Sequence, residues 1–324
     1  MKERIHYFDN LKFVLIFLVV LAHFIAPLKD ITFIKYIYWF IYIFHMPCFV
    51  FILGFFMKNT VKDGKIVNNK WLNYLLLYCI MQLLLIVIND SSYTFFTPKH
   101  GLWYLQCLII WTLLLPVLTR INPKLCIIFT FLASLIIGFD DSAGSVASLS
   151  RAVTFLPFFM LGFYTTKENI AKIKENKKII VITTIFSLLI LLVLLQLGEL
   201  NNFSKVFYGK SSYDNSNLGN IGVLYRSLWY LLAISFSALL MAFVPKNKNL
   251  FTNFGGRTLQ VYCLHILLFA IYKKFEVFEV FNGNTGAIIL MVLSFGLTVL
   301  LSTKIFSIPF NWIMNLKFKR ILNE

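Results

Sequence analysis

The sequence predicts an all-α integral membrane protein with about ten transmembrane helices, and three observations carry that prediction. First, 59% of the 324 residues are hydrophobic and the mean hydropathy is +0.78, against about 45–50% apolar residues in an ordinary soluble domain. Second, the apolar residues gather in ten runs, each near the roughly 17–25 residues that a bilayer crossing needs. Third, all 14 acidic residues lie in loops or at the ends of those runs. The net charge of +16 does not point to nucleic acid, because the basic residues form short clusters between runs rather than one basic surface.

The first run, 11–28, lacks a small-x-small cleavage site and is followed by further spans, so it reads as an anchor rather than a signal peptide. The next three fall at 36–57, 71–89 and 101–118, and the fifth and sixth, at 125–139 and 151–166, are short. Runs at 179–197, 224–244, 258–275 and 286–304 complete the set. The longest loop, from Glu199 to about Val223, is rich in Asn, Ser, Tyr and Gly. It reads either as a solvated connection or as a lid over an outward-facing site. Residues 1–304 form one expected membrane domain, while 305–324 alternates Phe310, Trp312, Ile313, Leu316 and Phe318 with Lys317, Lys319 and Arg320. That pattern suits a cytoplasmic amphipathic tail in the inner interface.

Charge sets the orientation. With a cytoplasmic N-terminus, 21 of the 30 Lys and Arg residues fall in inside segments. The positive-inside rule then places both termini in the cytoplasm of a multi-pass plasma-membrane protein. The five cysteines, Cys48, Cys79, Cys107, Cys126 and Cys263, lie in apolar runs without metal-like or disulfide-like spacing. They read as small core residues, and no metal is expected.

No carboxylate sits in the middle of a span, which argues against a proton- or sodium-coupled pump. The deep polar residues are His23, His45, Gln82, Gln106, Gln260 and His265. His23 stands out because an ionisable group at that depth is costly without a function. Eleven residues separate it from Lys12, which returns it to within about 20° of the same helix face, about 16 Å along the axis. His45 falls at a similar depth on the next span, so the two imidazoles are placed to face each other. A neutral imidazole can take a proton from a hydroxyl as that hydroxyl attacks an acyl carbon. Asp9 lies too far along the helix to orient His23, leaving His45, Asp140 and Asp141 as candidate partners. His265 reads equally as a hydrogen-bonded helix contact. No G-x-S-x-G elbow, Walker A sequence or dinucleotide fingerprint is present.

Five motifs occur in order: Phe8-Asp9-Asn10-Leu11-Lys12 with ten residues before His23; Phe44 to Gly54, which contains His45; His100-Gly101-Leu102-Trp103-Tyr104-Leu105; Arg151 to Gly162; and Gly256-Arg257 to His265. Through most of its length the chain resembles the membrane acyltransferase-three family, and most its fucose 4-O-acetylase-type branch. The resemblance implies ten core helices, transfer of an acyl group from acetyl-CoA to a sugar hydroxyl at the outer face, and a catalytic role for His23. Two positions depart from the family pattern. Lys12 stands where Arg is common, keeping the charge without the bidentate fork. In span 3, Asn73 and Leu77-Tyr78 replace a basic residue and a Pro-Tyr pair.

The expected function is therefore a membrane O-acetyltransferase of the bacterial cell surface. Acetyl-CoA would bind from the cytosol near Lys12, Lys70 and Arg257. His23 would be the general base with His45 beside it, and His100, Trp103 and Arg151 would hold a glycan or lipid-linked sugar. Arg151 alone also reads as an interfacial residue. The rival reading is a glycan or lipid flippase, or an export facilitator, without acyl-transfer chemistry. Contacts with membrane lipids are expected, nucleic acid is not, and self-association is left open.

Overall fold

The computed structural model describes residues 6–89, 95–144 and 146–318. The charges of Lys2, Glu3, Arg4, Asp90, Lys319, Arg320 and Glu324 lie outside them. Ten apolar helices take the places of the ten runs: α1 (His6–Ile25), α2 (Thr32–Phe56), α3 (Lys70–Asn89), α4 (Trp103–Leu118), α5 (Pro123–Ile136), α6 (Leu149–Tyr164), α8 (Lys177–Gln196), α10 (Ile221–Phe243), α12 (Thr258–Lys274) and α13 (Gly283–Leu301). Short helices intervene: α7 (Lys167–Glu175), α9 (Leu200–Ser204), α11 (Thr252–Gly255) and, at the end, α14 (Ser307–Met314). Eight of the apolar helices, with their flanking turns, are long and apolar enough to cross a bilayer, whereas α5 and α12 span 14 and 17 residues. A two-residue hairpin, β1 (Val61–Lys62) with β2 (Lys65–Ile66), turns through Asp63 and Gly64, both at positive φ.

Helices are the natural solution here because every backbone N–H and C=O in hydrocarbon must find a partner within its own segment. Where Pro47 removes an N–H from α2, the carbonyl of Ile43 four residues earlier accepts instead from Trp229 Nε1 on α10, at 2.9 Å. Close packing follows the small residues. A Cβ on Gly54 would lie 2.0 Å from the Phe159 carbonyl oxygen, and one on Gly162 would lie 1.9 Å from that of Phe51. The backbones of α2 and α6 therefore meet where only hydrogen fits, the usual route to helix association in lipid. At the periphery α8 exposes Ile182, Phe186 and Leu189, a surface suited to acyl chains.

Helix α1 runs through the middle, in contact with α2, α11, α12 and α13. Its Lys12 end is tied down by Asn10, whose Nδ2 donates to the Pro245 and Asn247 carbonyls and whose Oδ1 accepts from Thr252. Helix α14 is held against α3 by Asn73, whose amide donates to the carbonyls of Ile313 and Leu316 at 2.7 and 3.1 Å. The long loop is neither free nor unstructured. It contains α9 and a short turn at Lys205–Tyr208, and Tyr213 is 1% exposed with its hydroxyl on the Leu135 carbonyl.

Candidate functional site

The imidazole of His265 on α12 meets that of His23 on α1, with His265 Nε2 3.0 Å from His23 Nδ1. The other nitrogen of His265, Nδ1, lies 2.9 Å from the Val261 carbonyl one turn back on α12. A carbonyl only accepts, so Nδ1 of His265 carries the proton. For two neutral rings His265 Nε2 then accepts, His23 Nδ1–H donates, and the lone pair of His23 is left on Nε2. One backbone carbonyl thus fixes two tautomers in series. His265 is fully buried, whereas His23 is only half-buried.

Two further contacts fix the His23 ring, and two more residues brace them. Phe269, one turn beyond His265, stacks on it with centroids 5.3 Å apart and an interplanar angle of 29°. Gly101 packs against its edge: a Cβ there would lie 3.2 Å from His23 Cε1. The Gly101 carbonyl accepts from the Tyr262 hydroxyl at 2.6 Å, which anchors that peptide to α12. His100, just before it, has φ of 51° and sets its ring edge-on to Phe269, with Nε2 buried and unpartnered. A non-glycine residue in the left-handed region costs on the order of 1–3 kcal/mol, a strain typical of functional sites.

On the Lys12 side a cavity of about 170 Å³ follows the stripe expected on α1, with Lys12, Ile16 and Val19 on its wall and His23 next along the same face. Tyr104 and Tyr262, whose rings lie 5.5 Å apart, also line it, and His23 does not. Lys12 is not an isolated cation, since Asp9 pairs with it at 2.9 Å. The other cations expected at this end do not line the same cavity. Arg257 donates to the Ser302 carbonyl at 2.8 Å and borders a second cleft, and exposed Lys70 borders a third.

On the other side Arg151 stacks on Trp103, with Cζ 5.0 Å from the ring centroid, and its Nε donates to the Tyr208 carbonyl at 3.1 Å. Tyr208, Tyr38 and Tyr42 extend this polar, aromatic cluster. Tyr208 reaches the Tyr38 hydroxyl at 3.4 Å, and Tyr42 stands 4.3 Å from Tyr38 and 5.0 Å from His45, centroid to centroid. The long loop therefore joins this cluster through Tyr208.

The partner of His23 corrects the expectation from sequence. His45 gives its Nδ1 to the Ile41 carbonyl at 2.7 Å and rests on Tyr42. Asp140 is exposed and turned into its own loop, where the Ser142 hydroxyl and backbone N–H hold its carboxyl below the usual carboxylate range. Asp141 bonds to Ser212 and Asn215. Depth along a helix is legible in sequence, but which helices become neighbours is not, and α12 rather than α2 brings the hydrogen-bonded imidazole. His265, Gly101, Tyr262 and Phe269 were not expected in the site. The signal was a third deep histidine, in the last motif, without a way to pair it.

A half-buried imidazole with one defined free nitrogen, an apolar cavity along α1 on its Lys12 side and a polar aromatic cluster around Arg151 mark a multi-pass membrane protein with a candidate acid–base site. The chain belongs to the membrane acyltransferase-three family, whose profile, described as an acyltransferase domain, matches residues 5–303. It is accordingly a multi-pass membrane acyltransferase. No curated protein and no solved structure matches the chain.

Proposed function

We propose that the protein moves an acetyl group from cytoplasmic acetyl-CoA to a hydroxyl of a cell-surface or lipid-linked glycan, as members of the fucose 4-O-acetylase-type branch do. The observation that carries this reading is the hydrogen-bonded series Val261–His265–His23, which leaves one basic nitrogen, His23 Nε2, with a defined direction. The donor-side fit is one of shape: a cavity of about 170 Å³ lined chiefly by apolar side chains suits a thin acyl-bearing arm and not a whole nucleotide. Lys12, already paired with Asp9, adds one cation at its mouth.

His23 Nε2 takes the proton of the acceptor hydroxyl as that oxygen bonds to the thioester carbonyl carbon. The carbon–sulfur bond then breaks, and His23 returns the proton to the leaving thiolate, so the imidazole ends as it began. Arg151, held by Tyr208 and Trp103, presents a cation and a flat stacked face to the acceptor.

The test is purified protein in lipid nanodiscs with acetyl-CoA and a model sugar acceptor, followed by thiol release and by mass of the product. His23→Ala and His23→Gln are expected to lower kcat by about 10²–10⁴, the range of a lost general base. A folded His23→Ala protein that acetylates normally would refute the role of His23. Absence of thiol release from wild-type protein with any hydroxyl acceptor would favour the flippase reading.

A further inference from the structure

The cavity beside Lys12 is too small for a whole acyl-CoA, so the charged end of that donor needs a second compartment. The polar cleft of about 460 Å³ between the start of α12 and α14 lies directly beside it, with Leu259 lining both. Its size falls within the roughly 300–1,000 Å³ of small-molecule sites. Arg257 and Lys304 line it, Ser307 and Asn311 add hydrogen-bonding groups, and Phe310 offers an aromatic ring; no lining residue is acidic.

The cleft is also held in shape. Gln260 Nε2 donates to the carbonyls of Leu301 and Thr303 at 2.7 and 2.8 Å, and Arg257 donates to that of Ser302. The turn carrying Lys304 is thereby bound to the first turn of α12. The opposite wall, α14, is fixed to α3 by the two Asn73 hydrogen bonds. Beyond Met314, which lines both, a further cleft of about 490 Å³ presents Lys70 and Lys317.

We infer that α14 completes the donor site: the phosphorylated adenosine end of an acyl-CoA lies in the cleft between α12 and α14, on Arg257 and Lys304, while its thin arm passes Leu259 into the cavity along α1. This rests on the acetyl-CoA reading and extends it to a segment at the edge of the family match, which ends at residue 303. Phosphate oxygens meet two cations and the Asn311 amide, the Ser307 hydroxyl being donated to the Lys304 carbonyl, and the base has Phe310 to pack on. A phospholipid headgroup shares the phosphate chemistry, so the experiment separates the two sources.

The probe is adenosine 3′,5′-bisphosphate alone, titrated by calorimetry into the purified full-length protein in nanodiscs of neutral lipid and, separately, of anionic lipid. Wild-type protein is expected to bind in both, and Lys304→Glu and Asn311→Trp to weaken binding at least about tenfold in both, with Lys304→Arg retaining it. In turnover, Lys304→Glu is expected to narrow the ratio of KM values between acetyl-pantetheine and acetyl-CoA toward one. Unchanged nucleotide binding in both variants overturns the inference. So does a loss confined to anionic nanodiscs, which assigns the cleft to a lipid headgroup. Thiol release by wild-type protein reads the proposed function independently, so the two failures are distinct.

Discussion

Replacing His265 separates an orienting imidazole from a packing residue. In His265→Ala the His23 Nδ1–H loses the acceptor now 3.0 Å away, and the constraint on the tautomer goes with it. An unsatisfied buried donor costs about 1–3 kcal/mol. At about 1.36 kcal/mol per factor of ten, that corresponds to a kcat lower by about 5- to 150-fold. The loss is smaller than for His23→Ala because the base itself remains. His265 lines neither the cavity along α1 nor the cleft at α14, so KM for acetyl-CoA is expected to stay within about twofold while kcat falls. His265→Gln places a side-chain oxygen near the position of Nε2 and is expected to recover about tenfold over Ala, by restoring the charge-neutral acceptor. Thiol-release kinetics in nanodiscs give the kcat and KM split. The ¹⁵N shifts of ring-labelled His23 report the tautomer, with the lone pair on Nε2 in wild-type protein and a mixture in His265→Ala. A folded His265→Ala protein with wild-type kcat, or a Gln variant no better than Ala, would refute the reasoning.

Gly101→Ala puts a methyl 3.2 Å from His23 Cε1 and 3.0 Å from Ile266 Cδ1; the ring must shift by tenths of an ångström, and kcat is expected to fall about tenfold at unchanged melting temperature. Gly54→Ala and Gly162→Ala each require α2 and α6 to part by about 1 Å, so melting in detergent, read by size-exclusion after heating, is expected to fall by several degrees, reflecting a loss of about 1–3 kcal/mol or more. In the long loop, the Tyr225 hydroxyl and the Asn202 amide hold the Glu199 carboxyl below the usual carboxylate range. The depressed value means that this contact is present above the ordinary carboxylate pKa and is lost as pH falls through the lowered one; Tyr225→Phe is expected to raise the Glu199 midpoint in a ¹³C-carboxyl titration.

Length and hydropathy were enough to place the helices. The run expected at 36–57 is α2 at Thr32–Phe56, and even the short run at 125–139 becomes α5 at Pro123–Ile136 with one further turn. The Lys12 to His23 stripe was equally legible, because it depends only on helical periodicity within one segment. The hydrogen-bond partner of His23 was not, because matching depth on α2 and on α12 look alike until the helices are assembled. His45 has the right level and the wrong neighbour, with its Nδ1 already on Ile41. Asn73 is the reverse case: its place in the span-3 pattern marked a missing cation, whereas the fold uses its amide to hold α14. That role depends on a segment 240 residues away, which no local pattern contains.

The hydrogen-bond series also limits where a proton can go in the proposed reaction. From His23 Nε2 the proton has no onward route through His265, because His265 Nδ1 ends on the Val261 carbonyl, which is no base at any physiological pH. A second proton entering at His23 Nε2 gives an imidazolium whose Nδ1–H still donates to His265, so the ring keeps its orientation while charged. The proton accepted from the sugar hydroxyl must therefore leave through the nitrogen that received it. In the proposed reaction the sulfur arrives from the Lys12 side, and the thiolate formed there is the nearest strong proton acceptor. A dead-ended imidazole pair thus favours acyl transfer that is locally balanced in charge, and it does so without an intramembrane carboxylate. In such a reaction a base that returns its proton to the leaving group does not need a second site to store it.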